Sequence, residues 1–477
     1  MRPLSCVVVL LSGCLSPRAE LPARSTQAPT ERYVDAFAPA GGDGSSQRPY
    51  RSLTEALSGA GPRPLVVHLA TGMYQGPFRI EGDVALVGGK AAVLYADGAA
   101  SEVVRLRDAQ LERVHVQGGQ VGVRVEGRSS LHHVHLSGQR QAALVLAEGA
   151  VLTVAGGELA GTVSETVGVR ASPRAEANFS GTAFVGAFRR GVEVRGGRAQ
   201  LTGCRFDGPV TALHLVGGEA HLSDVDVVGG RGPGVFAAQG KLTARWVRVF
   251  GHEYGLLTGA GAWVQVEDFS AVRPQRAGVA LVGTRGHLAD VVVLEGASYA
   301  GLQLLESELE LRRVQVHRVS STGLFARLGS LRLFGAVVTQ VRGDGQSGGD
   351  GVELRGVKAE LEDVVVRDVD GSGVIATVEA EVVAKGVSCA RCRFGALVAE
   401  RRSQVVAYAV EARGCGTSAL VVPDEARLSV HGLFSRENAE GPLWAECGQG
   451  AQVTLTQVES DVPLPRALCI QADTRPP

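Results

Sequence analysis

The chain has 477 residues, a formal net charge of −1 at pH 7 and 45% hydrophobic residues. Lys plus Arg number 48 against 49 Asp plus Glu, without a basic block, which excludes the positively charged surface on which nucleic-acid binding depends. Abundant glycine, 64 residues, and an aromatic content of only 5% favour short strands joined by tight turns.

The N-terminus is typical of an export signal. Arg2 precedes an apolar run at residues 7–11, which is too short to span a bilayer. The following Leu11-Ser12-Gly13-Cys14 resembles the bacterial lipoprotein box, in which the cysteine is lipidated and becomes the mature first residue. The resemblance implies a signal peptide at residues 1–13 and a membrane anchor at Cys14. An ordinary secretory signal with a chance cysteine is the alternative.

Residues 14–32 are rich in Pro, Ser, Ala and charge, and we predict a flexible tether. Leu15 gives no obvious inner-membrane retention signal, so the resemblance favours the outer membrane of a Gram-negative bacterium. No later apolar run is long enough for a transmembrane helix. The only predicted contact with a membrane is therefore the lipid on Cys14.

Residues 33–105 are predicted to form an N-terminal cap and the first coils. Ser52 and Glu55 have capping-box spacing, and residues 53–57 present one apolar face, so a short helix is expected. Together with Tyr33-Val34-Asp35, this order resembles the cap of bacterial right-handed parallel β-helix proteins, the pectate-lyase-like superfamily. In those proteins a similar strand and a short helix cover the open end. The resemblance implies a fold and leaves activity open.

A repeat organises the rest of the chain. From about residue 110 to 445, a small residue followed by an apolar pair recurs roughly every 22 residues, which indicates a solenoid. Segments such as residues 222–227 alternate apolar and polar, as strands do, and no segment of the repeat has a sustained helical period. We therefore predict an all-β, right-handed parallel β-helix of about 15 coils over residues 106–477, with a short N-terminal capping helix.

In a solenoid, residues one period apart become neighbours on successive coils. One outward column is predicted to contain Asp224, Trp246, Asp268 and Asp290, and a neighbouring column contains Asp226 and Arg248. The aromatic residues Phe250, Tyr254, Trp263 and Phe269 lie close by in the sequence.

These columns have three interpretations. A tryptophan ring can stack on a sugar while carboxylates and guanidinium groups bind hydroxyls or uronates, which makes a polysaccharide-binding face. The alternative is a surface ladder whose charges offset one another and keep the sheet soluble. Stacked acids could also serve catalysis, but the motifs that the resemblance leads us to expect of polygalacturonases or pectate lyases are absent.

The cysteines offer two candidate disulfides. Cys392 and Cys415 each precede the small-residue landmark of their coil by four residues, so they should share a column within disulfide reach. Cys447 and Cys469 are a second pair, one period apart. A redox or zinc site at Cys389-x-x-Cys392 is the alternative for the first group.

Two further groups of residues are candidates for metal binding. The first is a glycine-rich loop with Asp344 and Asp350, whose spacing does not match a calcium-binding EF-hand. The second is a histidine cluster, which lacks an evident fourth ligand beyond Glu112 and comprises His115, His132, His133 and His135. We predict no metal and no cofactor.

The sequence thus predicts a lipid-anchored protein of the cell envelope. It is expected to be a non-catalytic binding or structural surface protein with polysaccharide as the favoured ligand. The alternatives are a carbohydrate-active lyase or hydrolase, and a scaffold for protein partners in the envelope.

Overall fold

The computed structural model of the chain describes residues 28–58, 64–343, 348–467 and 469–473. The protein is an all-β parallel solenoid with 66% of its residues in strands, and it winds through about 17 turns. Each strand pairs in parallel with the equivalent strand of the next coil. The predicted parallel β-helix is confirmed, and the predicted number of about 15 coils was too small.

The elements are given in chain order. The first part comprises β1 (Thr30–Val34), α1 (Leu53–Ser58), β2 (Leu65–Leu69), β3 (Gly72–Gln75), β4 (Phe78–Gly88), β5 (Ala92–Ala96), β6 (Glu102–Glu112), β7 (His115–Gly118), β8 (Val121–Glu126), β9 (Arg128–His132), β10 (His135–Ser137), β11 (Ala142–Leu146), β12 (Val151–Ala155), β13 (Glu158–Thr162), β14 (Val167–Ala171), β15 (Glu176–Ser180), β16 (Ala183–Ala187), β17 (Arg190–Arg195), β18 (Arg198–Thr202) and β19 (Arg205–Asp207).

The second part contains the longer strands and the C-terminal end. It comprises β20 (Thr211–Val228), β21 (Pro233–Phe250), β22 (Tyr254–Thr258), β23 (Ala262–Val272), β24 (Ala277–Val282), β25 (Arg285–Gly296), β26 (Ala300–Ser320), β27 (Thr322–Arg342), β28 (Val352–Arg355), β29 (Lys358–Val369), β30 (Val374–Thr377), β31 (Glu381–Cys392), β32 (Leu397–Ala399), β33 (Gln404–Arg413), β34 (Leu420–Val422), β35 (Arg427–Arg436), β36 (Leu443–Ala445), a 3-10 helix (Cys447–Gln449), β37 (Gln452–Ser460) and β38 (Ile470–Asp473).

Each turn of the solenoid contributes to three parallel sheets, which we name sheets C, A and B in the order in which the chain visits them. One coil serves as the definition. β22 belongs to sheet C, the first half of β23 up to Glu267 belongs to sheet A, and the second half from Phe269 belongs to sheet B. Between sheets A and B the chain turns through a single residue, Asp268, with a φ of 51°.

The core consists of inward-pointing side chains stacked from coil to coil. In sheet A one such ladder is fully or almost fully buried and includes Leu201, Leu222, Ala244, Val266, Leu288, Leu311, Leu333 and Leu361. In sheet B the rings of Phe184 and Phe206 stack with centroids 4.4 Å apart. Removal of this apolar surface from water is the main force holding the coils together.

The predicted short N-terminal helix is present, but it does not form a clear cap. Helix α1 has six residues, less than two turns, and Ser52 caps it by accepting a hydrogen bond of 3.2 Å from the Glu55 amide. Leu53 and Ala56 are buried against the first strands. A helix of this length is no clear cap for the solenoid, so this part of the prediction is corrected.

The cysteines differ from the prediction in one respect. Cys447 and Cys469 form a disulfide with Cα atoms 5.4 Å apart, whereas Cys392 and Cys415 are free buried thiols on neighbouring coils. Hydrogen bonding with Cys389 raises the pKa of Cys392, and hydrogen bonding with Cys392 together with burial raises the pKa of Cys415. The predicted Cys392–Cys415 bond is not present in this structure.

Several predictions lie outside the described residues. The signal peptide, Cys14 and most of the tether belong to residues 1–27, and Asp344 belongs to residues 344–347. In the described part of the chain, no helix is long and apolar enough to cross a membrane. Those residues also contain no group of three His, Cys, Asp or Glu side chains placed to hold a metal ion. His115 and His135 are register partners, but the ring of His115 contacts the Ser137 hydroxyl at 2.7 Å.

Candidate functional site

The predicted binding column lies at the bend between sheets A and B, and we name it the bend ridge. Asp224, Trp246, Asp268 and Asp290 occupy equivalent positions on successive coils, each with a φ between 51° and 55°. Adjacent residues of the ridge are therefore about 4.8 Å apart along the solenoid axis. Asp226 and Arg248 lie two residues further on, on the outer side of sheet B.

Half of the predicted acids on and beside the ridge are used by the protein itself. Arg248 forms a two-pronged ion pair with Asp226, with contacts of 2.6 and 3.0 Å. Arg313 does the same with Asp290, and its hydrogen bond lowers the pKa of that carboxyl below the usual range. Such exposed pairs contribute little to stability, but they engage the carboxylates of Asp226 and Asp290 in contacts within the protein.

Trp246 is half exposed, between two acids that make no hydrogen bond or ion pair with any described residue, Asp224 and Asp268. The guanidinium carbon of Arg245 lies 4.1 Å from the centroid of the Trp246 ring, so one ring face is already covered. Of the neighbouring aromatics, Phe269 points into the core and is 1% exposed. The ridge is a convex edge with one partly covered ring.

A groove lies over the outer face of sheet A and has a volume of about 750 Å³. Trp263 lies at its N-terminal end, and Val383 and Val406 form an apolar floor near its C-terminal end. From β23 to β33 the groove crosses seven strands, which corresponds to a length of about 29 Å. The sequence analysis named Trp263 only as a nearby aromatic residue. In the sequence, Trp263 follows Lys241 by one period and precedes Arg285 by one period. This outward column of aromatic and charged residues could have identified the groove.

The walls of this groove are lined with ion pairs between neighbouring coils. Arg285 contacts Glu308 at 3.0 Å, Arg332 contacts Glu360 at 3.3 Å, and Lys358 contacts Glu381 at 3.2 Å. At the N-terminal end, the ammonium of Lys241 lies 4.9 Å from the centroid of Trp263. Because each charge has a partner, the groove has no strong field of either sign, yet it offers many donors and acceptors to a polar ligand.

The outer face of sheet C contains buried charged groups. Glu193 is 0% exposed and is approached by three guanidinium groups, those of Arg190, Arg195 at 2.7 Å and Arg170 at 3.4 Å. Burial by itself would raise the pKa of Glu193, but the hydrogen bond from Arg195 and the charges of the three arginines outweigh it and hold the pKa below its usual value. On the next coil, burial lowers the pKa of His214 to about 4, so its ring is neutral at pH 7.

A second group on sheet C has the opposite character. Burial raises the pKa of Asp350 and of Glu353, and the charge of Glu400 adds to both shifts. The side chain of Glu353 is 15% exposed and accepts a hydrogen bond of 2.7 Å from Arg355. A carboxyl that stays protonated to higher pH is what a general acid requires, and shifted groups of this kind often mark functional sites.

Comparison with known proteins gives weak likenesses. No family model matches the chain, and no curated protein matches it. The chain is similar to the catalytic unit of an alpha-1,3-glucanase from Streptomyces thermodiastaticus, with 14% identity, coverage of 92% of this chain and 69% of that one, and a TM-score of 0.26. It is also similar to an alginate lyase, AlyGC, with 9% identity, coverage of 93% and 100%, and a TM-score of 0.24.

A third similar structure is PfbA, a surface adhesin of Streptococcus pneumoniae, with 9% identity, coverage of 75% of this chain and 85% of that one, and a TM-score of 0.24. At these identities and scores, the likenesses carry no argument about the ligand or activity of this chain. The parallel β-solenoid itself rests on the strand pairings described above.

The buried Glu193 gives a stability prediction. Glu193→Gln removes the counter-charge of three partly exposed arginines, and we expect unfolding to become easier by about 1–3 kcal/mol at pH 7. Because the pKa of Glu193 lies below its ordinary value of 4.5 in the folded protein, its contribution is present above about pH 4.5 and is lost as the pH falls through the folded pKa. The difference between the two proteins should therefore shrink on acidification, as measured by urea unfolding between pH 7 and pH 3.

The matched control is Glu219→Gln, which removes an exposed pair with Arg198 at 2.9 Å and should change stability little. Equal stability of the wild-type protein and the Glu193→Gln variant at pH 7 would contradict the prediction.

Proposed function

We propose that this chain is a non-catalytic carbohydrate-binding protein that holds an extended polysaccharide along sheet A. The observation that carries the proposal is the groove of about 750 Å³ that follows the solenoid axis over seven strands. A linear glycan matches a groove of this shape because successive sugars can lie over successive coils. Binding sites commonly combine an apolar floor with a few fixed polar groups, and this groove has both.

The chemistry of the groove fits sugar hydroxyls better than a charged ligand. Trp263 supplies an aromatic ring against which a sugar can stack, with the ammonium of Lys241 lying over one of its faces. The paired Arg, Lys and Glu side chains are held in place by their partners, and their remaining donors and acceptors are free for hydroxyl groups. Since these charges offset one another, the favoured ligand has little net charge.

Substitution of Trp263 in the groove and of Trp246 on the bend ridge tells which of the two surfaces binds the glycan. We expect Trp263→Ala to weaken binding of an extended glycan by roughly tenfold or more, since a lost aromatic contact costs about 1.5 kcal/mol or more. Trp246→Ala should leave binding unchanged. The measurement is a glycan array with both variants, followed by titration calorimetry on the glycans that are retained.

The outcomes of that experiment are distinct. Loss of binding in Trp246→Ala with Asp268→Asn, and not in Trp263→Ala, would move the site to the bend ridge and contradict the groove. Failure of the wild-type protein to retain any glycan would contradict carbohydrate binding and leave the role of a scaffold for protein partners.

A carbohydrate-active enzyme is the second candidate, and the raised pKa of Glu353 on sheet C is what favours it. A lyase or hydrolase would use Glu353 as its general acid. We then expect product release from uronate and neutral polysaccharides that declines as the pH rises through the pKa of Glu353 and is abolished in Glu353→Gln. The matched control is Glu360→Gln on sheet A. Absence of product with the wild-type protein over the whole pH range excludes this candidate.

We also propose that the protein is attached to the outer membrane through lipidated Cys14, on the basis of the Leu-Ser-Gly-Cys sequence. In a Gram-negative host, Cys14→Ser should remove incorporation of labelled fatty acid and shift the protein from the membrane fraction to the soluble fraction. Cys6→Ser is the matched control. Unchanged fractionation of the Cys14→Ser protein would contradict the anchor.

A further inference from the structure

A second column of left-handed residues follows the end of sheet B, at the corner where the chain turns towards sheet C. In the C-terminal coils this column carries large side chains with φ between 52° and 58°, at Arg273, Glu295, Arg318, Gln340, Asp368, Arg391 and Glu437. In four earlier coils the same position is glycine, at Gly186, Gly208, Gly229 and Gly251, and in one later coil it is Gly414. The amides of Gly208, Gly229, Gly251 and Arg273 donate to the coil that follows, as Gly251 does to Val272 and Arg273 does to Leu294.

Backbone conformation alone does not explain the glycines. The chain itself places Arg, Glu, Gln and Asp in the same column with the same sign of φ. Nor do steric contacts explain Gly229 and Gly251, because a Cβ atom at either position would have no heavy atom within 4 Å. Gly186, one coil before Gly208, differs in this respect, since a Cβ there would lie 2.4 Å from the carbonyl oxygen of Gly161. At Gly229 and Gly251 the missing side chain leaves open space.

That open space is a trough of about 830 Å³, which we name the corner trough. Gly208, Gly229 and Gly251 form its floor, and its walls include Arg189, Arg231 and Gln275. The trough ends where Arg273, paired with Glu295 at 3.2 Å, fills the column. It lies at the opposite edge of sheet B from the bend ridge and is separate from the groove over sheet A.

The charges at the corner trough favour an anionic ligand. Arg189 has one distant partner, Glu165, at 3.8 Å, and because Glu165 also lines the trough, two arginines there face one carboxylate. The side chain of Arg231 is exposed and forms no hydrogen bond or ion pair with any residue that the structure describes. In the column of left-handed residues itself, the guanidinium groups are paired, as Arg391 is with Asp368 at 2.6 Å. An unpaired guanidinium group above a floor without side chains is suited to a carboxylate or sulfate.

The floor also indicates which kind of chain can bind. The amides of Gly208, Gly229 and Gly251 already donate to the next coil at 2.9–3.0 Å, so no free strand edge exists for a peptide to extend. Beneath the floor, the buried ring of His252 lies directly under Gly230, where an added Cβ would come within 2.2 Å of it. The lining of the trough is about as apolar as it is polar, which suits a sugar, whose ring faces are apolar and whose edges carry hydroxyl groups.

We propose that the corner trough is a second binding site, specific for a segment of acidic glycan whose carboxylate or sulfate group pairs with Arg231. The site is independent of the glycan groove over sheet A, so either can fail without the other.

The test fills the trough without adding charge. Gly229→Gln and Gly251→Gln place a side chain that the same column already accommodates at Gln340. The matched control is Gly414→Gln, which has a φ of 63° in the same column, open surroundings and a position outside the trough. Binding of carboxymethyl-dextran and of dextran sulfate oligomers is compared with binding of unmodified dextran, which shares their backbone.

We expect the wild-type protein to bind at least one charged dextran at least tenfold more tightly than dextran. This preference should be lost in Gly229→Gln and Gly251→Gln and kept in Gly414→Gln. Arg231→Gln should abolish the preference for the charged dextrans, and the binding that remains should depend less on salt concentration. Trp263→Ala, which tests the groove over sheet A, should leave the preference unchanged.

Equal binding of the charged dextrans by the Gly229→Gln and Gly414→Gln proteins overturns the proposal, and so does an equal affinity for charged and uncharged dextran. Competition by a poly-glutamate peptide as strong as that by the charged dextrans would assign the trough to a peptide and also overturn it. Carboxylate and sulfate sources are distinguished by which of the two modified dextrans is preferred.

Discussion

The structure depends on main-chain hydrogen bonding between identical positions of successive coils. Every strand of a coil pairs in parallel with its equivalent in the next coil, and this register extends from β1 to β38. Because the register is continuous, side chains about one period apart in the sequence become direct neighbours. The core ladders, the ion-pair ladders of sheet A and both columns of left-handed residues follow from this single constraint.

The fold could be predicted from the sequence because the repeat has a steric cause. The small residues that mark the period stand at the start of the sheet C strands, where successive coils approach closely. A Cβ at Gly255 would lie 2.5 Å from the carbonyl oxygen of Gly278, and one at Gly301 would lie 2.6 Å from that of Gly323. Large residues are excluded there, so the period is visible in the sequence. The number of coils was underestimated because the first coils lack this marker.

The candidate sites were harder to predict for a different reason. Alternation assigns side chains to the inside or the outside only while a strand continues, and the single left-handed residue between sheets A and B interrupts it. Trp246 therefore lies on an edge and not on a flat face, and Phe269, directly after such a residue, points inward. The burial of Glu193 depends on the arginines of its own strand and of the preceding coil that surround it, which alternation alone does not predict.

The solenoid also separates its chemistry by face. Sheet A carries exposed charges that are paired between coils, whereas sheet C carries Glu193, His214 and Glu353, which are largely withdrawn from solvent and have altered pKa values. Since each coil contacts only the coils before and after it, a substitution in one coil affects the packing of its two neighbours and has little effect on more distant coils. Coils can therefore be added to the solenoid or removed from it without changing the packing of the other coils. Whole turns can be gained or lost between Trp263 and Gln404 to shorten or lengthen the groove over sheet A, while the rest of the rod keeps its shape.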